Sequence, residues 1–112
     1  MTVPVVVLQI DSPDAFVEEL KHRGISEVRV CAWYRRSPYL IMEMKCRFTA
    51  YDPGSGVILR LDVTYYRGFY GTEEDKREAR EAYEKVVEPV KEKISRVARI
   101  LDGEYHNGEA KW

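Results

Sequence analysis

Apolar and polar positions alternate strictly through the middle of the chain, and that alternation organises the rest of the sequence. Leu40, Met42, Met44, Cys46, Phe48 and Ala50 fall on one face of an extended segment, and Tyr39, Ile41, Glu43, Lys45, Arg47, Thr49 and Tyr51 on the other. After Asp52-Pro53-Gly54-Ser55-Gly56, a hairpin signal, Val57, Leu59, Leu61, Val63 and Tyr65 are predicted to point inward. Ile58, Arg60, Asp62, Thr64 and Tyr66 are predicted to point outward. Upstream, Val28, Val30, Ala32 and Tyr34 alternate with Arg29, Cys31, Trp33 and Arg35, and Arg36-Ser37-Pro38 reads as a turn.

Register follows from parity and charge, because inward residues must meet inward residues across each hairpin. Pairing Asp52 with Val57 sets Arg47 opposite Asp62 and Lys45 opposite Thr64. For the hairpin before it, pairing Trp33 with Tyr39 sets Arg29 opposite Glu43. Cys31 and Cys46 then project from opposite faces, so no disulfide between them is expected.

The flanking segments complete the layout. Val3 to Ile10 is a β-branched run too short for a helix, apolar on both faces, which predicts a strand with both faces at least partly covered. Ser12 is an N-cap followed by Pro13, and Gly24 follows the basic turn Lys21-His22-Arg23, which predicts a helix over 13–23. Arg67 to Gly71 reads as a connector. Thr72 caps a second helix, with Asp75 three residues on, running to about Leu101 with Pro89 inside it. The expected fold is a single α+β domain over residues 1–103 in the order β-α-β-β-β-α. It has one mostly antiparallel four-stranded sheet, two helices on one face and the other face open. Residues 104–112 read as a flexible C-terminal tail.

Composition narrows the classes of function. The 112 residues are 45% apolar and 33% charged, a globular balance that leaves little room for a second domain. No apolar run approaches the roughly 20 residues that span a bilayer. The N-terminus carries no basic region or cleavage pattern, so a cytoplasmic protein with reduced cysteines and no membrane partner is expected. Eleven arginines and seven lysines, with few Asn, Gln and Met, suit a thermophile. The formal charge of −1 hides a segregation: residues 21–70 carry nine bases and four acids, while both ends are net acidic.

Catalytic and metal chemistry find little support. His22 ends a helix, where it compensates the dipole, and His106 lies in the tail. No nucleophile elbow, glycine-rich phosphate loop or Cys/His zinc spacing occurs, so no enzyme activity, cofactor or metal is expected. The open face is the informative feature. Trp33, Tyr39, Tyr51, Tyr66 and, from the connector, Phe69 could stack on unpaired bases. Arg29, Arg35, Arg36, Lys45, Arg47, Arg60 and Arg67 could hold phosphate. The competing expectation is a structural or adaptor protein whose open face is a homo- or hetero-oligomer interface, since Arg and aromatic residues are enriched there too. The apolar steps along the second helix, from Ala79 to Leu101, are wide enough to include an oligomer contact.

In Trp33, Tyr39, Arg47, Tyr51, Arg60 and Tyr66 on the sheet, and in the apolar helix from Ala79 to Leu101, the chain resembles the small archaeal single-stranded DNA-binding proteins of the ThermoDBP-related family. The resemblance implies single-strand binding, DNA before RNA, by stacking and phosphate contacts in a homo-oligomer. The element order is also similar to ribosome hibernation factors, and its last five elements to double-stranded RNA-binding domains. Thr72-Glu73-Glu74-Asp75 at the start of the second helix would repel phosphate where the latter carry bases.

Overall fold

A computed structural model of the chain describes residues 6–36, 41–69 and 72–102. The side chains of Trp33, Arg35, Arg36, Ile41 and Asp102 lie outside what it describes. The elements are β1 (Val6–Ile10), α1 (Pro13–Arg23), β2 (Glu27–Arg36), β3 (Ile41–Asp52), β4 (Val57–Phe69), α2 (Glu73–Ser95) and β5 (Arg99–Asp102). The expected tail and residues 3–5 of the expected first strand lie outside the described residues.

The sheet has five strands in the order β1-β4-β3-β2-β5. β1 runs parallel to β4 and β5 parallel to β2, while the β2–β3 and β3–β4 pairs are antiparallel. β3 therefore opposes the other four. The expected four-stranded, mostly antiparallel sheet is corrected to a mixed one. It holds two interleaved crossovers, β1-α1-β2 and β4-α2-β5, which place both helices on one face.

The additional strand comes from the predicted end of the second helix. α2 stops at Ser95, and the Val97 and Ala98 amides turn back to the Ile94 carbonyl at 3.0 and 2.9 Å. The Arg99 amide then bonds the Ser26 carbonyl at 2.8 Å, and Arg99 to Asp102 pair with Glu27 to Val30. Val97, Ile100 and Leu101 fit a helical stripe and a strand equally well as sequence. The exposed edge of β2 decides for the strand, since pairing satisfies its backbone groups.

Local chemistry places the helices as expected. The Ser12 hydroxyl accepts from the Ala15 amide at 3.1 Å, Pro13 opens α1, and Gly24 closes it in the left-handed region at φ 65°. The Thr72 hydroxyl accepts from the Asp75 amide at 3.1 Å and donates to the Asp75 carboxylate at 2.8 Å. Pro89 lies inside α2. Phe16 and Leu20 of α1 and Val87, Val90 and Ile94 of α2 pack on Val28, Val30, Cys46, Phe48, Leu59 and Leu61 of the sheet, which form the core.

β1 departs from expectation. It is an edge strand, and Val6, Val7 and Leu8 are 55%, 49% and 38% exposed. The run was expected to be partly covered on both faces, but the helix layer stops short of this edge.

Candidate functional site

The face away from the helices is built from alternate residues of all five strands. On β3 and β4 the expected register holds: Asp52 faces Val57, Arg47 faces Asp62 and Lys45 faces Thr64. The turn fixes it. The Asp52 carboxylate accepts from the Gly54 amide at 3.0 Å and the Ser55 hydroxyl at 2.7 Å, and the Gly56 amide bonds the Asp52 carbonyl at 2.8 Å. Between β2 and β3 the register is corrected. Arg29 faces Thr49 rather than Glu43, and Trp33 faces Lys45 rather than Tyr39. β2 continues to Arg36 and β3 begins at Ile41, and Ser37 and Pro38 of the expected turn lie outside the described residues. The shift is an even number of residues, so inward and outward sets survive it.

One irregularity changes the site. Lys45 faces Thr64 but Met44 faces Tyr66, so the register steps over Tyr65, which forms a bulge in β4. Beyond it the alternation of β4 inverts. Tyr65 is buried against Tyr83 of α2, ring centroids 5.3 Å apart at 81°. Tyr66 also turns to the helices: its hydroxyl donates to the Asp75 carboxylate at 2.9 Å and contacts Glu78 at 3.4 Å. Desolvation and the Asp75 hydrogen bond push its hydroxyl up to about 12. Tyr66, expected on the open face, is therefore a covered-face residue. Gly68 accommodates it, because a Cβ at position 68 would fall on the Tyr66 ring and hydroxyl.

The same inversion brings Arg67 and Phe69, expected in a connector, onto the open face as strand residues. The Arg67 guanidinium pairs with Glu43 at 3.0 Å, and Phe69 is 70% exposed. At the other end of the face Tyr51 is 57% exposed. Beside it an open groove of about 620 Å³ is lined by Arg23, Arg29, Thr49, Tyr51, Ile58 and Leu101, among others. Leu101 reaches this groove only because β5 exists, and the helical reading of the sequence concealed it.

Charge on the face is dense and largely paired. Arg47 is 8% exposed and grips Asp62 with both arms, Nε to Oδ1 at 2.8 Å and a terminal nitrogen to Oδ2 at 3.1 Å. Arg60 reaches Asp62 at 3.5 Å and the Gln9 amide oxygen at 3.0 Å. Its Nε is buried with no hydrogen-bond partner among the described residues. Glu43 joins Lys45 at 3.7 Å and Arg67, while Arg99 joins Glu27 at 2.8 Å. Arg29 is exposed and makes no ion pair among the described residues. Among the described side chains of the face, Arg29, Lys45, Arg47, Arg60, Arg67 and Arg99 outnumber Glu27, Glu43 and Asp62 two to one, a positive balance.

Of the remaining expected site residues, Trp33 and Arg35 hold open-face register positions opposite Lys45 and Glu43, whereas Arg36, expected to contact phosphate there, is corrected to a helix-side position opposite Met42. Their side chains, and all of Tyr39, lie outside what is described. The cysteines are not joined by a disulfide and lie on opposite faces. Cys46 is in the core, where burial pushes its thiol up to about 12, and Cys31 is buried within the open face beside Arg47. Among the described residues no group of three or more His, Cys, Asp or Glu could hold a metal ion, and no helix is long and apolar enough to cross a membrane. No family model matches this chain, and comparison with curated proteins and with solved structures finds no match either.

Proposed function

We propose that the chain binds single-stranded nucleic acid, DNA before RNA, along the sheet face that the helices leave open, without catalysing a reaction. The observation that carries this reading is the joint placement of exposed Tyr51 and Phe69 on the face where Arg and Lys exceed carboxylates. Tyr51 pairs with Ile58 and Phe69 lies eleven residues further along β4, so the two rings stand roughly 33 Å apart. An oligonucleotide stacking at both ends would lay its backbone over Lys45, Arg60 and Arg67 and reach Arg29 in the groove. Unpaired bases suit such a flat surface because every base has a face to stack, while a duplex hides those faces. Trp33 and Tyr39 add stacking in this reading, and Arg35, opposite Glu43, adds a phosphate contact, whereas Arg36 holds a helix-side register position opposite Met42 and adds none. Arg47, bound to Asp62, shapes the surface and supplies field more than direct contact. The preference for DNA rests on the family resemblance alone.

The test is a titration of labelled oligo-dT, oligo-rU and duplex at two salt concentrations. Tighter binding to single strands, falling steeply with salt, supports the reading. Equal affinity for duplex and single strand, or indifference to salt, overturns it.

A second reading has its own observation. Glu43 and Asp62 neutralise much of the cation surplus in place, which suits a protein surface whose charges are already satisfied. On that reading the open face is an oligomer or adaptor interface, and the same titration shows no oligonucleotide affinity.

A further inference from the structure

The two edges of the sheet are built differently. β5 is four residues long with a charged residue at each end, Arg99 and Asp102, the usual protection of a free edge. β1 has no such protection. Its five residues, Val6 to Ile10, carry no charge and no proline, its pairing with β4 is regular, and three of them are exposed apolar side chains. On the side away from β4, alternate residues of β1 present backbone N–H and C=O groups with no strand beside them among the described residues.

We infer that β1 pairs antiparallel with β1 of a second copy of this chain, joining two five-stranded sheets edge to edge. The sequence of the strand selects that occupant. A pairing that continues the sheet must keep each face with its like, so the allowed offsets differ by two residues. Among them, only the offset centred on Leu8 pairs all five residues. Leu8 then meets Leu8 of the partner subunit, Val6 meets Ile10 of the partner subunit, and Val7 meets Gln9 of the partner subunit. Val6, Leu8 and Ile10 share the helix side and Val7 and Gln9 the open side, so apolar residues meet apolar ones where the helix layer stops short. No like charges are brought together, and the twofold axis stands across the sheet at Leu8. This inference does not depend on what the open face binds.

The test uses the full chain. Sedimentation equilibrium through the micromolar range is expected to show a species of twice 13.1 kDa. Val7→Lys alters an exposed side chain outside the core, so folding by circular dichroism should be kept while dimer affinity falls about tenfold. Leu8→Cys should give a covalent dimer under mild oxidation, since the axis places the two substituted positions face to face. Val86→Cys, 37% exposed on α2, should stay monomeric on a non-reducing gel under the same conditions. Cys31 and Cys46 are buried and do not compete. A monomer at every concentration overturns the inference, including one that pairs only with a foreign strand. So does a dimer that Leu8→Cys fails to cross-link or that Val7→Lys leaves intact.

Discussion

The Tyr66 hydroxyl donates a 2.9 Å hydrogen bond to the carboxylate of Asp75, tying the far end of β4 to the first turn of α2. The bond exists because the bulge at Tyr65 inverts the strand, and Tyr66→Phe removes it without changing the ring. A cost of about 1–2 kcal/mol is expected in denaturant unfolding, as for one hydrogen bond to a charged acceptor in a partly wet site. Because the folded-state pKa of Tyr66 is raised from 10 to about 12, its contribution is complete below pH 10 and is lost as pH rises towards 12. A tyrosinate absorbance step near pH 12 that disappears in Tyr66→Phe checks the assignment. If that step survives in the variant, Tyr66 is not the group held there.

Gly68→Ala tests the same corner by crowding. The new methyl group would collide with the Tyr66 ring, which cannot swing away without losing Asp75. Destabilisation of about 1–3 kcal/mol is expected. In the double variant Gly68→Ala with Tyr66→Ala, the penalty specific to the methyl should vanish, which a double-mutant cycle measures.

These two residues also show where the sequence was opaque. The β3–β4 register was legible because Asp52, Gly54 and Ser55 dictate the turn and because Arg47 and Asp62 are complementary at one offset. The β2–β3 register was not. Parity admits any even shift, and Ser37-Pro38 signals a turn without fixing which residues pair across it, whereas Asp52 fixes them in the next hairpin. The bulge had one signal, Gly68 inside a strand, which reads equally as the start of a loop. Unbroken alternation through Tyr65 sets Tyr66 on the open face, and Gly68 taken as a loop residue sets Phe69 in a connector. β5 was hidden because four residues are too few for periodicity to separate strand from helix.

Arg47→Ala is expected to destabilise the fold by about 2 kcal/mol, read from chemical denaturation. It removes two charge-assisted hydrogen bonds and leaves Asp62 with Arg60 as its remaining cation at 3.5 Å. Loss of affinity in this variant would therefore mix folding with binding, and it is a poor probe of phosphate contact. Asp62→Asn should cost less, since it keeps the shape and an acceptor for the guanidinium. Equal stability of Arg47→Ala and the parent chain would show that the pair contributes nothing.

Acid should loosen two turns. Hydrogen bonds from Ser55 and then Arg23 hold the Asp52 carboxyl below its ordinary value of 3.8, and bonds from Thr72 and then Tyr66 do the same for Asp75. A lowered folded-state value stabilises above 3.8, and that stabilisation is lost as pH falls through the lower, folded values. Melting temperature should drop as pH falls below 3.8. Asp52→Asn and Asp75→Asn should each flatten that drop, and a profile unchanged in both would reject these carboxylates as its source.

The binding face is best tested by pairing variants across the bulge. Phe69→Ala and Tyr51→Ala truncate rings that are 70% and 57% exposed, so folding should be retained. Each should weaken oligo-dT binding by about 1–3 kcal/mol if the rings stack on bases. Arg29→Ala, at an exposed cation without an ion pair among the described residues, should lower the salt slope by about one and weaken all sequences alike. Tyr66→Phe supplies the contrast, because Tyr66 is adjacent in sequence to Arg67 yet faces the helices, so its affinity should match the parent's. If Tyr66→Phe weakens binding as much as Phe69→Ala does, the nucleic acid is not confined to the open face. If neither Phe69→Ala nor Tyr51→Ala changes the affinity of a folded protein, stacking on this face is refuted. Should the parent bind no oligonucleotide at all, a change of oligomer mass in Phe69→Ala or Tyr51→Ala would instead assign the face to a protein contact.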